Sequence, residues 1–257
     1  MSTTLASSSS EAGRLARAVL GIFKLRIGVM IMITALVGAL VAPTASLGVG
    51  QWLVLAASVL AASASAGAFN QYYESENDAR MGRTRNRAFV TGALRRRPLW
   101  LGVMAAMLAV AVAMAWQVLN PLAAAFVFLG AFLYGIVYTV WLKRRTSLNI
   151  VIGGLAGSFA VLAGAAAVDT QIGALPGLLA VTLFLWTPPH FWSLAIANEA
   201  EYAAAGVPML PVVAGSRRAA EAVFASAVLL VAASLLPAAF GAGPVYLIGA
   251  AAGGAHF

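Results

Sequence analysis

The sequence predicts an all-α protein, a polytopic bundle of membrane-spanning helices. Three observations predict it: the composition, a series of apolar stretches long enough to cross a bilayer, and a strict alternation of charge between them. Of the 257 residues, 62% are hydrophobic and 9% charged, and the mean hydropathy is +0.91. An ordinary soluble domain is about 25% charged and about 45–50% apolar. So few charges cannot cover a water-facing surface, which excludes a soluble enzyme and a disordered chain. The absence of cysteine excludes a disulfide scaffold, a thiolate nucleophile and a thiolate-bound metal.

A helix needs about 20 apolar residues to cross the hydrocarbon core. Candidate spans are 27–46, 51–70, 99–117, 121–141, 149–168, 174–196 and 219–240. A last apolar stretch, Pro244 to Phe257, is short for a span and makes about eight in all. Either that helix is incomplete or the chain lacks the end of its fold. Residues 1–20 read as a disordered cytoplasmic leader, with no short apolar core and cleavage site of a removable signal. Residues 21–257 read as one transmembrane domain. The fifth span carries Gly153, Gly154, Gly157 and Gly164, small residues that let helix backbones approach closely.

The 16 Lys and Arg residues fall in four places only: the N-terminal segment (Arg14, Arg17, Lys24, Arg26), the second connection (Arg80 to Arg97), the fourth (Lys143, Arg144, Arg145) and the sixth (Arg217, Arg218). The odd-numbered connections hold none. Lys and Arg collect on the cytoplasmic side, so the N-terminus is expected there. The +8 balance then reads as topology, with no need for nucleic acid as a partner. Five of the eight acids, Glu74, Glu76, Asp78, Glu199 and Glu201, lie in the second and sixth connections. Any chemistry is therefore expected at the cytoplasmic surface, divided between two loops.

Asn70, Glu74 and Asp78 recur at i, i+4 and i+8. On a continuous helix they share one face and span about 12 Å. Oxygen ligands of this kind suit Mg²⁺, which takes one or two carboxylates and completes its shell with phosphate and water. Arg80, Arg83, Arg85 and Arg87 follow directly. Acids next to arginines make sense around a diphosphate that is bridged to the acids by Mg²⁺ and held by Arg. A solvated helix end with basic topology anchors is the alternative. The sixth span ends Trp186-Thr187-Pro188-Pro189-His190-Phe191-Trp192. Paired prolines interrupt the helical hydrogen-bond ladder, which a membrane tolerates only where protein or a cavity satisfies the freed carbonyls.

These motifs, in this order, resemble the UbiA superfamily of intramembrane prenyltransferases, and within it the haem-directed branch. The resemblance runs from about Lys24 to about Val213. It rests on Asn70-Gln71-x-x-Glu74-x-x-x-Asp78, Arg83-Thr84-Arg85-Asn86-Arg87, Tyr138-Thr139-x-Trp141-Leu142-Lys143-Arg144, the Trp186–Trp192 string, and Ala205-Gly206-Val207-Pro208-Met209-Leu210-Pro211. The acid motif alone indicates the superfamily, while the last two strings are particular to the haem branch. The resemblance implies a helical bundle, usually of nine spans, whose cytoplasmic mouth binds farnesyl diphosphate through Mg²⁺. It implies transfer of the farnesyl group to a vinyl group of haem b, giving haem O.

Carried over by position, Asn70, Glu74, Asp78 and Glu201 are the catalytic metal ligands. Arg83, Arg87, Tyr138, Lys143 and His190 face the substrates. Implied partners are farnesyl diphosphate, haem b, membrane lipid, and haem A synthase or terminal-oxidase assembly factors. The implied location is the cell inner membrane. The chain departs from the family at Ala160-Val161 and Ala165, where a proline pair and a tryptophan are usual, and at Ala88 and Val90, usually prolines. Asn198-Glu199-Ala200-Glu201 stands where a basic residue and paired aspartates are usual. A prenyltransferase for a quinone precursor or other aromatic, and a non-catalytic paralogue that binds haem or prenyl lipid, are the competing readings.

Overall fold

The structure is a computed structural model that describes residues 13–42 and 47–256. Among these residues every regular element is helical. Helix α1 (Gly13–Ile22) and α2 (Leu25–Leu40) form a pair bent by 43°. α3 (Val49–Tyr73) is followed by one turn, α4 (Ser75–Asp78). α5 (Pro98–Val118) precedes α6 (Pro121–Phe132), which continues into a π-helix (Leu133–Leu142). Then come α7 (Asn149–Val168), α8 (Ala174–Ala197), the short α9 (Glu199–Ala204) and α10 (Leu210–Ala214), α11 (Ser216–Ala239) and α12 (Gly243–His256). Six of these, the α6–π unit counted once, are long and apolar enough to cross a membrane, and the bent α1–α2 pair makes a seventh. The expected eighth span, α12, has 14 residues, about 21 Å of helix against the roughly 30 Å of a hydrocarbon core.

Residues 13–20, expected in a disordered leader, belong to α1; residues 1–12 lie outside the described part. The reason is packing. Ile22 is fully buried against Ala68, Phe89, Leu94 and Met104, with Ala18 and Val19 beside it.

Local chemistry sets the helix ends. Pro98 and Pro121 start α5 and α6, where a missing N–H costs nothing. Asn120 caps α6, its Oδ1 accepting from the Ala123 N–H at 2.9 Å. Its Nδ2 donates to the Ala166 carbonyl at 2.6 Å, which ties α6 to the end of α7.

α7 packs against α2, α6 and α8, and α11 closes on α8. The core they share is mostly alanine, with Ala35, Ala39, Ala111, Ala123, Ala163 and Ala166 all buried. Lipid supplies no hydrophobic drive between helices, so close van der Waals packing must hold them. The α2–α7 crossing depends on it: a Cβ on Gly164 would lie 1.7 Å from the Ala35 carbonyl oxygen, and one on Gly38 2.1 Å from that of Val161. α8 runs through Pro188 and Pro189 as one helix.

At the other end, the N-terminal segment and the connections 74–97, 143–148 and 198–215 come together. Their residues contact one another directly, and this is where the charged groups lie.

Candidate active site

Helix α3 stops at Tyr73, with Glu74 as its C-cap. The continuous helix on which Asn70, Glu74 and Asp78 would share one face is thus interrupted at Glu74, although the Glu74 N–H still donates to the Asn70 carbonyl at 2.9 Å and the Asp78 N–H to the Glu74 carbonyl at 2.8 Å. Each is buried and each has its own basic partner.

Glu74 is 1% exposed. Lys143 pairs with its Oε2, and Arg144 donates to Oε1 at 3.0 Å. Asp78 accepts from Arg87 at 2.6 Å, while its backbone carbonyl accepts from the Thr84 hydroxyl at 2.8 Å. Asn70 donates through Nδ2 to Thr139 Oγ1 at 3.1 Å and accepts at Oδ1 from Lys24 at 2.7 Å. Carboxylates buried this deeply in an apolar bundle are stable only when paired.

The π-helix supplies the facing wall. π-helical turns are rare and occur often at functional sites. Here Thr139 and Lys143, four residues apart, meet Asn70 and Glu74, also four apart. Tyr134 and Tyr138 stack with ring centroids 5.6 Å apart. Tyr138 also packs against the buried cluster containing Met81, Ile150 and Tyr202.

The sixth connection reaches this wall through α9. Arg83 donates to the Tyr202 hydroxyl at 3.1 Å, with its guanidinium 5.9 Å from the ring centroid. Glu201 Oε1 lies against Gly82, where a Cβ would be 2.9 Å away. Glu201 Oε2 is buried and accepts no hydrogen bond. Glu199 takes a different role, accepting from Ser216 at the start of α11. Of the two acids in the second motif, Glu201 is the one that lies against the connection following the first motif, at Gly82.

His190 does not join this group. It lies on the exposed side of α8, stacked on Trp186 at 4.2 Å and edge-on to Phe191 at 5.1 Å. Trp192, two residues on, is buried, and its Nε1 has no acceptor.

Three residues of the site were not singled out in the sequence: Lys24, Tyr134 and Tyr202. Lys24 was visible only as a topology charge, whereas Thr139 and Arg144 stood in the Tyr138–Arg144 string without an assigned role. Tyr202 was visible only as the neighbour of Glu201.

The donors present suit a hard divalent cation. All are oxygens, and one, Glu201 Oε2, is a buried carboxylate oxygen with no proton donor. Among the described residues no three His, Asp or Glu side chains converge into a closed metal site.

Helical architecture and paired motifs of this kind define an intramembrane prenyltransferase. Residues 31–257 match the UbiA prenyltransferase family, and the chain belongs to that family. Within it the chain is similar to protoheme IX farnesyltransferase 2 of Paramagnetospirillum magneticum. The two are 55% identical over 92% of this chain and 82% of that protein. Protoheme IX farnesyltransferase 1 of the same organism is 48% identical over 91% and 82%. The fold is that of a UbiA homologue from Archaeoglobus fulgidus bound to DMAPP and Mg²⁺ (TM-score 0.78, 17% identity, covering 92% of this chain and 83% of that one). Digeranylgeranylglyceryl phosphate synthase shares the same fold (TM-score 0.76, 18% identity, 93% and 84% covered).

Proposed function

We propose that this prenyltransferase moves a farnesyl group from farnesyl diphosphate to a vinyl group of haem b, making haem O. One observation carries the diphosphate half of this reading. Lys24, Arg83, Arg87, Lys143 and Arg144, from three separate segments, are gathered around the buried Glu74, Asp78 and Asn70 and the adjacent Glu201–Tyr202 turn. The cations outnumber the carboxylates, so an anion completes the site. The relatives named protoheme IX farnesyltransferase support the acceptor.

The residues act on the leaving group. Ionising an allylic diphosphate builds negative charge on its oxygens. Arg83, Arg87, Lys143 and Arg144 stabilise that charge more in the transition state than in the ground state. Asn70, Glu74, Asp78 and Glu201 would hold Mg²⁺, which acts as a Lewis acid on the diphosphate when bound. Tyr134 and Tyr138 present aromatic faces on the same wall, and the apolar helices keep water from the allylic cation.

The proposed location of this end is the cytoplasmic side of the inner membrane, a reading that the basic connections support. His190 and Trp186, stacked on each other on the exposed side of α8, are the proposed haem-side contacts. Haem A synthase and terminal-oxidase assembly factors are the proposed recipients of the product.

The test incubates membranes bearing the protein with farnesyl diphosphate, Mg²⁺ and either haem b or 4-hydroxybenzoate, with products separated by chromatography. The expected product is haem O, from haem b alone. A prenylated benzoate with no haem O would move the chain to the aromatic branch. Bound haem with no product would make it a non-catalytic paralogue.

A further inference from the structure

Lys24 is the one non-glycine residue among those described with positive φ (φ 48°, ψ 42°). An L side chain in the left-handed region is strained, and such strain persists only where the surroundings impose it. Here they do. Gln71 Nε2 donates to the last carbonyls of α1, Gly21 at 2.9 Å and Ile22 at 3.1 Å, and Ile22 is fully buried. The chain is thereby pinned to α3 just before Lys24 and leaves along α2 at a 43° bend.

The bend aims Lys24 inward. Its stem passes Gly67, where a Cβ would lie 3.4 Å from Lys24 Cδ. Its ammonium ends on Asn70 Oδ1 at 2.7 Å and the Tyr134 hydroxyl at 3.2 Å. A lysine that served only as a topology anchor would reach for water. This one instead occupies the oxygen that the proposed site offers to Mg²⁺.

We propose that Lys24 is a diphosphate-responsive placeholder: it holds Asn70 Oδ1 in the donor-free protein and passes to a diphosphate oxygen when donor and metal arrive. The inference rests on the Mg²⁺–diphosphate reading of this site. An ammonium and a divalent cation at one amide oxygen repel each other strongly in so apolar a place. A diphosphate oxygen is the better acceptor, because a charge-assisted bond is shorter and stronger than one to an amide. Lysine's long stem lets the ammonium move without disturbing the bend. Lys24 therefore opposes metal alone and favours metal with diphosphate.

Binding of Mn²⁺ to the detergent-solubilised full chain, with and without inorganic diphosphate, tests this. The variants are Lys24→Gly and Lys24→Asn. Both residue types tolerate positive φ, so the bend survives while the ammonium is lost, and thermal midpoints confirm the fold. In the wild type, diphosphate is expected to tighten Mn²⁺ binding at least about tenfold, a coupling within the usual range between linked sites. In both variants Mn²⁺ alone should bind severalfold tighter than in the wild type. The enhancement by diphosphate should shrink, with the effect of Mn²⁺ on diphosphate shrinking by the same factor. Variants that match the wild type in both affinities, or that lose the fold, would show Lys24 to be a structural tether and overturn the proposal. A wild type that binds neither Mn²⁺ nor diphosphate removes the site reading as well. One that shows the linkage but makes no haem O overturns only the acceptor.

Discussion

The two ends of the bundle are held together by different forces. At the end away from the basic cluster, α2 and α7 touch backbone to backbone through Gly38 and Gly164, inside a core built largely of alanine. At the other end the contacts are ion pairs and hydrogen bonds around Glu74, Asp78 and Asn70. At the first end the helix backbones approach too closely to admit a Cβ at either glycine. At the second, removal of apolar side chains from water cannot account for the arrangement, because charge is expensive at a membrane boundary. The difference teaches that close packing makes the bundle, while the polar end is paid for by function.

Substitutions at the two ends should therefore fail in different ways. The largest effect on folding is expected from Gly164→Val, which drives a side chain into the Ala35 carbonyl. Loss of more than about 3 kcal/mol is expected, since overpacking with a backbone clash exceeds the usual range. The readout is the yield of folded protein in detergent. At the polar end, Glu74→Gln should cut turnover at least about 100-fold, the scale of losing one electrostatic contact in a transition state, while the chain still folds. Arg83→Ala frees the Tyr202 hydroxyl and should raise KM for farnesyl diphosphate by about tenfold, equivalent to about 1.4 kcal/mol, with a smaller change in kcat. The smallest effect is expected from Arg96→Ala. Its pair with Glu76 is exposed (3.0 Å) and its guanidinium rests 4.9 Å from the Tyr72 ring centroid. Such surface contacts contribute less than about 1 kcal/mol, and turnover should be unchanged.

The same contrast explains what the sequence made legible. The packed end is written in composition, because runs of Ala, Leu, Val and Gly are both the spans and their packing surfaces. The alternation of basic connections matches the way four chain segments meet at one end. The site was legible only in part. Asn70, Glu74 and Asp78 stood out by their spacing, but the continuous helix on which they would share one face is interrupted at Glu74, and each residue has a separate basic partner. Those partners are far away in sequence: Lys24 lies 46 residues from Asn70, Arg144 lies 70 from Glu74, and Tyr202 lies 119 from Arg83. Local pattern carries no information about such pairs. Lys24 was the hardest to see, since a basic residue before a first span reads as a topology signal until the bend at its own backbone turns it inward. His190 was singled out through its motif, but its place on the exposed side of α8 depends on how that helix packs.

The central claim is that the polar end is built for a diphosphate rather than for stability. Asp78→Asn tests it most directly, because it keeps the shape of the side chain and removes only the charge that faces Arg87. The measurement pairs haem O formation from haem b and farnesyl diphosphate with the thermal midpoint of the same purified variant. The account predicts a fall in turnover of at least about 100-fold with the folded bundle intact at the assay temperature. Turnover close to that of the wild type, or a loss that merely follows unfolding, would contradict it.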